Sequence, residues 1–143
     1  MDVLCKKELG RIVRILMDKG ANVNMGDTSG TTPLMYTIHL RDISIVKLFI
    51  ENNADVNARA IKGSTALHNC VVKKDTYLHV NAKKSMDMLI KHGADVNIAD
   101  NDGITPLYLA TSYGHVCAMK KLLMNGADRN QQTRTGDTAL HAA

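Results

Sequence analysis

The chain has 143 residues, of which 45% are hydrophobic and 22% are charged, a length and balance typical of one globular domain and not of a disordered segment. It contains no Trp and a single Phe, so its core must be built from Leu, Ile, Val, Met and Ala, which favours closely packed helices. The formal net charge is +4, but acidic and basic residues are interspersed without a block of like charges, which argues against a dedicated nucleic-acid-binding stretch.

The cysteines and the start of the chain predict its compartment. Cys5, Cys70 and Cys117 are odd in number and lie far apart without a CxxC pair, so we expect small buried residues in a reducing environment. Lys6 and Lys7 carry charge where a signal peptide would be apolar, and no apolar run reaches the roughly 18 residues of a membrane span. We therefore expect a cytoplasmic or nuclear protein without a membrane contact.

The N-terminal segment is predicted to be helical and to end in a glycine turn. Val13, Leu16 and Met17 have the apolar-x-x-apolar-apolar spacing of a helix with one buried face. Gly20 stands where a left-handed residue would end that helix. We expect a helix pair here, beginning near Asp2 and running through Met17.

Two short motifs then recur along the chain with one spacing. The first motif occurs as KGANVN, NNADVN, HGADVN and NGADRN, at residues 19–24, 52–57, 92–97 and 125–130. The second occurs as GTTPLM, GSTALH, GITPLY and GDTALH, at residues 30–35, 63–68, 103–108 and 136–141. Successive copies of both are 33, 40 and 33 residues apart, and such a period indicates stacked repeats. We divide the single domain, 1–143, into units at 1–26, 27–59, 60–99, 100–132 and 133–143.

Each unit predicts a turn, a helix, a short connection and a second helix. The turn glycine is followed two residues later by a Thr that can cap a helix, and Pro33 and Pro106 fall at the first helical position, where a missing N–H costs nothing. The second helix repeats the apolar stripe of the first unit: Val46, Phe49 and Ile50; Met86, Leu89 and Ile90; Met119, Leu122 and Leu123. Gly93 and Gly126 end that helix, and Asn53 replaces the glycine in the second unit.

This pattern resembles the ankyrin repeat family, whose units read as a turn ending in Gly, T-P-L-H-x-A-A, a G-H connection, V-x-x-L-L and G-A-D-x-N. DNDGITPLYLATSYGHVCAMKKLLMNGADRN, residues 100–130, follows it nearly throughout, with Tyr108 in place of the family His. The resemblance covers essentially the whole chain and implies an all-α solenoid of stacked helix-turn-helix units joined by β-turn or hairpin loops. It also implies that residues 1–26 are the second half of a capping unit. The fifth unit is incomplete, so we expect a longer array, one whose last turns were removed, or a natural short cap.

The third unit carries seven extra residues within the stretch KKDTYLHVNAKK. We expect its first helix to run from about Thr65 to Val72 and its second to resume near Lys83, so that the added residues, 76–82, lie in the connection, where a longer surface loop costs little. The insertion also supplies side chains for a second contact surface: Tyr77, Leu78 and His79. The same side chains could instead extend the first helix or fold onto a neighbour.

The sequence shows no pattern that indicates catalysis, a cofactor or a metal site. His68 and His141 recur in the TALH motif, and the family resemblance implies that this His bonds backbone between neighbouring turns. The chain has no HExxH motif, no GxSxG nucleophile setting and no phosphate-binding glycine loop. We therefore expect a protein that is not an enzyme, needs no cofactor and has no small-molecule substrate.

The family resemblance implies that a protein partner docks on the concave face, built from the turn tips and the exposed side of each first helix. The partner-binding candidates carried over by position are Leu40, Ile61, Lys62, Val72, Lys73, Asn101, Asp102, Ile104, Ser112, Tyr113 and Arg134. Those that are apolar would form a stripe if exposed, although some could fold back onto their neighbours: Leu40, Ile61, Val72, Ile104 and Tyr113. We predict a monomeric protein-interaction module, part of a larger adaptor, scaffold or regulatory protein, with Tyr113 as the strongest single contact.

Two alternatives remain open from the sequence. Four lysines around the insertion would suit nucleic acid, but they lack interleaved aromatic residues apart from one Tyr, and no recognised DNA or RNA motif is present. Asn97 and Asn57 lie in a context that resembles substrates of an asparagine hydroxylase. The competing interpretation is that each Asn bonds the backbone of a turn.

Overall fold

The computed structural model describes residues 3–40, 42–71 and 80–143, and within these it has eight helices and no strand. The helices are α1 (Val3–Asp18), α2 (Pro33–His39), α3 (Ile43–Glu51), α4 (Ala66–Val71), α5 (Val80–Lys91), α6 (Pro106–Ser112), α7 (Val116–Met124) and α8 (Ala139–Ala142). The first helices of the units, α2, α4, α6 and α8, pack in one row, and α1, α3 and α5 pack in a second row. The all-α repeat solenoid is therefore confirmed.

The helix boundaries follow from the residues predicted to set them. The side-chain oxygens of Thr32 and Thr105 accept hydrogen bonds from the main-chain nitrogens three residues later, and a proline occupies the first position of both helices. Asp42, which the sequence did not predict as a cap, also caps α3, accepting from the nitrogen of Ser44, two residues later, at 3.0 Å. Asn53 has a φ of +63° after α3, in the left-handed region that its amide side chain tolerates.

A hairpin turn precedes each first helix, and successive hairpins are hydrogen-bonded to one another. Within the turn of the third unit, the nitrogen of Ala60 donates to the oxygen of Ser64 at 2.9 Å. Between units, the nitrogen of Ile61 donates to the oxygen of Ser29, at 2.9 Å. Gly63 allows the next turn to approach closely, since its φ is +82° and an added Cβ would lie 2.8 Å from the nitrogen of the residue stacked on it. The turns thus form a continuous backbone ladder along one edge of the array.

The core lies between the two rows of helices. Leu67, Met86, Leu89 and Leu122 are fully buried there, and burying a side chain of this size contributes about 1.5–3 kcal/mol. Each first helix packs against the second helix of its own unit, as in α2 with α3, α4 with α5 and α6 with α7. The units therefore share one contiguous apolar core instead of having one core each.

The expected helix pair at the N-terminus is wrong, because α1 is one uninterrupted helix from Val3 to Asp18. Gly10 is the only helix-breaking residue within it, and a single glycine costs a helix only about 1 kcal/mol. That glycine also faces α3 closely, since an added Cβ would lie 3.5 Å from Cδ1 of Ile45. The segment has no turn sequence to divide it, so it forms only the second helix of a unit and lacks the first.

The insertion does not lie wholly in the connection, because α5 begins at Val80 and not near Lys83. Asn81 and Ala82 are consequently helical. The stretch from Val80 has neither Gly nor Pro and continues into Ala and Lys, which are strong helix formers, so the helix extends toward its N-terminus. α4 begins at Ala66, one residue after the predicted start.

Burial differs from the prediction at the two ends of the array. Leu16 and Leu123 were assigned to buried stripes but are 54% and 46% exposed. Each lies on a terminal second helix, where no further unit covers it within the described residues. Of the cysteines, only Cys70 is buried, and burial raises the pKa of its thiol to about 12, whereas Cys5 and Cys117 are exposed.

Candidate protein-binding surface

One face of the array is formed by the hairpin tips together with the exposed sides of α2, α4 and α6, and we call it the turn face. Its tips are held in register by main-chain hydrogen bonds of 2.9 Å, from Asn101 to Lys62 and from Arg134 to Asp102. The spacing of the tips is therefore fixed by the backbone. The side chains of Lys62, Asp102 and Arg134 are not needed for these main-chain bonds.

A second ladder joins the units through the asparagines that close the first motif. Asn57 donates from Nδ2 to the oxygen of Gly93 at 3.0 Å and accepts at Oδ1 from the nitrogen of Asp95 at 2.8 Å. Asn97 makes the equivalent pair of bonds to Gly126, at 3.0 Å, and Asp128, at 2.7 Å. Both amides thus bond the backbone of the following unit, as the structural interpretation required. Hydroxylation of either residue stays a prediction.

The predicted partner-binding residues at the turn tips differ in how free they are. The side chain of Ile61 is 67% exposed, and those of Lys62, Asp102 and Arg134 are also exposed. Asn101 is exposed as well, but its Nδ2 donates to the oxygen of Ile61 at 2.8 Å, which stabilises the stacking of the tips. The side chains of Ile61, Lys62, Asp102 and Arg134 are therefore available to a partner, whereas that of Asn101 supports the ladder of turn tips.

The expected apolar stripe is exposed only in part. Ile61 and Tyr113 are 67% and 42% exposed, whereas Leu40 and Ile104 are half-buried. Ser112 is exposed at the end of α6, next to Tyr113. The remaining candidates lie outside the described residues: Val72, Lys73, Tyr77, Leu78 and His79. Of the four stripe residues that the structure describes, only Ile61 and Tyr113 are therefore exposed.

Tyr36 is a further aromatic residue of the turn face that the sequence interpretation missed. It is 54% exposed on α2, and its hydroxyl donates to Oδ2 of Asp27 at 2.7 Å, so the ring is directed toward the hairpin tip. This bond and the bonds from Ser29 and Thr31 lower the pKa of Asp27 to about 2, while the carboxylate raises the pKa of Tyr36. Tyr36 lies one residue after the position of the family His, on the exposed side of a first helix. This place in the repeat was the signal from which the sequence could have identified it.

The histidine that recurs in the TALH motif is structural at position 68, as the resemblance implied. Nε2 of His68 donates to the oxygen of Ile104 in the next unit at 3.0 Å, and Nδ1 accepts from the nitrogen of Thr65 at 3.1 Å. The side chain is 1% exposed, and this burial is the main cause that lowers its pKa. His141 repeats the local bond, with Nδ1 accepting from the nitrogen of Thr138 at 3.1 Å.

Metal-ligating side chains do not cluster in the part of the chain that the structure describes, where no group of three or more His, Cys, Asp or Glu could hold an ion. The described helices also include none that is long and apolar enough to cross a membrane.

Comparison with known proteins identifies the repeat. A family model for ankyrin repeats, in three copies, matches residues 2–100 and 78–143. The chain belongs to the ankyrin repeat family. Ankyrin repeats are generally protein-interaction modules.

The relatives of this ankyrin chain come from viruses, animals and yeasts. The chain is 37% identical to the ankyrin repeat protein FPV031 of fowlpox virus over 99% of its own length and 42% of that protein. It is 27% identical to the human SH3 and multiple ankyrin repeat domains protein 2, covering 9% of that protein. It is 32% identical to the palmitoyltransferase AKR1 of Lachancea kluyveri, covering 18% of that protein. The ankyrin chain thus spans less than half of each of these relatives.

Proposed function

We propose that this ankyrin array is a non-catalytic module that binds one protein partner through its turn face. The observation that carries the proposal is the exposure of three large side chains on that face, Tyr36, Ile61 and Tyr113, at 54%, 67% and 42%. Aromatic residues are enriched among binding hot spots, and a partner that covers all three would remove much apolar surface from water. Exposed Lys62, Asp102 and Arg134 provide the polar rim of this surface.

The rigidity of the backbone at the turn tips supports the same proposal. Ile61 lies on a tip whose nitrogen and oxygen are both hydrogen-bonded, to Ser29 and to the Asn101 side chain. A tip that is already ordered loses little conformational entropy when a partner binds, so the affinity gained from each contact is not offset by ordering the loop.

The proposal also includes the setting of the module. We place it in a larger adaptor, scaffold or regulatory protein of the cytoplasm or nucleus, acting as a monomer, with its units divided as in the sequence. The three cysteines, all free, suit a reducing compartment.

The test compares two double variants in partner capture. Ile61→Ala/Tyr113→Ala removes two exposed anchors of the turn face, and Val116→Ala/Met124→Ala removes two exposed apolar side chains of α7 as a matched control. We expect the first variant to lose a bound protein that the second retains, by tenfold or more in affinity. Both should keep the wild-type melting temperature within a few degrees, since exposed truncations cost about 0.5 kcal/mol or less. Equal capture by both variants would reject the turn face as the binding surface.

A further inference from the structure

An open groove runs between α3 and α5 on the back of the array, away from the turn face. It has a volume of about 430 Å³. Its apolar floor is formed by Ile43 and Met88, which are half-buried, and by Ile50, which is buried. Its walls carry charged side chains of both helices. The groove therefore combines an apolar base with a charged border, as docking sites for amphipathic helices do.

The charges around the groove are unevenly paired. Glu51 is ion-paired with Lys47 at 3.5 Å, and Asp87 is ion-paired with Lys121 of α7. Lys84 and Lys91 line the groove and have no carboxylate partner in the described ranges. Both acidic groups are thus already neutralised, and the two lysines give the groove an unbalanced positive charge.

The repeat register shows that an ion pair found between α5 and α7 has no equivalent at this groove. Lys121 of α7 corresponds to Met88 of α5, 33 residues earlier, and Asp87 corresponds to Lys47 of α3, 40 residues earlier. The ion pair of Lys121 with Asp87 bridges α7 to α5. Between α5 and α3, the equivalent residues are Met88 and Lys47, which cannot form an ion pair with each other. Among the described residues, no ion pair therefore crosses the groove from α3 to α5.

The unpaired charges have a spacing that fits a helix. Lys84, Met88 and Lys91 lie at i, i+4 and i+7 on α5 and therefore share one helix face. With a rise of 1.5 Å per residue, the two lysines lie about 10 Å apart along the helix axis, with the methionine between them. A second helix lying in the groove would match this face with a carboxylate, an apolar residue and another carboxylate.

We propose that this groove docks an acidic amphipathic helix from a protein partner, with one apolar side chain on Met88 and flanking carboxylates on Lys84 and Lys91. This binding surface is separate from the turn face and does not depend on it. It would give the array a second contact for the same partner or for another protein. Electrostatic attraction brings the helix to the groove, and the buried apolar side chain holds it there.

The test uses a defined probe in place of an unidentified partner. The probe is a fluorescent, capped helical peptide with Glu at i and i+7 and Leu at i+3 and i+4, and its matched control has Gln in place of both Glu. Fluorescence anisotropy with the full chain should show about tenfold tighter binding of the Glu peptide at low salt, since each exposed charge pair is worth up to about fivefold in affinity and the peptide makes two. The difference should shrink when the ionic strength rises to about 1 M.

Three double variants locate the site. Lys84→Glu/Lys91→Glu should weaken the Glu peptide by tenfold or more, whereas Lys19→Glu/Lys120→Glu makes the same charge change outside the groove and should leave affinity within about twofold. Lys47→Asp/Met88→Lys keeps Lys84 and Lys91, removes the Lys47 partner of Glu51, and installs at this position the ion pair seen between Asp87 and Lys121. It should place an ion pair across the groove and remove the apolar contact of Met88, and so abolish binding while circular dichroism stays unchanged.

Three results would overturn the proposal. The first is absence of binding to either peptide at any salt concentration. The second is equal loss of affinity in Lys84→Glu/Lys91→Glu and in Lys19→Glu/Lys120→Glu, which would show a general attraction to a positively charged protein. The third is full binding by Lys47→Asp/Met88→Lys, which would show that the groove is not occupied.

Discussion

The asparagine ladder predicts that Asn97→Ala destabilises the array much more than Asn130→Ala. Asn97 makes two bonds to the next unit, donating to the oxygen of Gly126 at 3.0 Å and accepting from the nitrogen of Asp128 at 2.7 Å. A net hydrogen bond contributes about 0.5–1.5 kcal/mol. The two together give an expected loss of about 2 kcal/mol in the free energy of unfolding.

The control lies in the same motif of the next unit. The side chain of Asn130 makes no hydrogen bond with the residues that the structure describes, so its truncation should cost about 0.5 kcal/mol or less. Urea unfolding followed by circular dichroism at 222 nm measures both variants, and the thermal midpoint should fall by about 6–8 °C for Asn97→Ala. Equal losses in the two variants would refute the argument that the amide acts between units. A negligible loss in both would refute it as well.

Three further predictions concern the turns. Burial lowers the pKa of His68 below its usual 6.5, so the unfolded chain binds a proton at this residue more readily than the folded chain does. The free energy of unfolding should therefore be highest above about pH 6.5 and fall below that pH. His68→Gln should flatten this decline when urea unfolding is measured between about pH 7.5 and 5. Gly63→Ala should lower the free energy of unfolding by about 2–3 kcal/mol, because the added Cβ would meet the next turn. Gly136 has a similar φ of +86° but open space around it, so Gly136→Ala should cost only about 1 kcal/mol. Tyr36→Phe removes the hydroxyl that bonds Asp27, so the pKa of that carboxyl should rise from about 2 toward 3.8 in an NMR titration; an unchanged value would mean that the other bonds hold it.

The sequence predicts the repeated parts of this fold well because each local signal is physical and recurs. Thr105 and Pro106 start a helix in the same way as Thr32 and Pro33, and Asn53 takes the left-handed cap that glycine takes elsewhere. Independent signals in every unit point to one architecture, so an error in one unit would be corrected by the others.

The errors occur where the repeat is interrupted. Leu16 and Leu123 match the buried stripe in sequence, but burial depends on a neighbouring unit that the pattern of a single helix does not reveal. The start of α5 at Val80 depends on local helix propensity, which a period of 33 residues does not contain. Register alone therefore places a residue in its unit but does not establish what packs against it.

The candidate site is less predictable than the fold, because exposure on the turn face is decided by contacts across units. Leu40 is equivalent in the repeat register to Tyr113, and Ile104 lies at a turn tip as Ile61 does, yet Leu40 and Ile104 are half-buried. Tyr36 is exposed and is held by a bond to Asp27, nine residues earlier in the sequence. Such a bond becomes visible only when the turn and the helix are placed together.

The central claim is that the turn face binds a protein, and site-specific photo-cross-linking tests it most directly. A photoreactive phenylalanine analogue would replace Ile61 or Tyr113 on the turn face, or Lys120 on α7, which is exposed outside the groove of the back. We predict cross-links to one and the same protein from positions 61 and 113 and none from position 120. Cross-linking from position 120 with equal yield, or from position 120 alone, would contradict the claim.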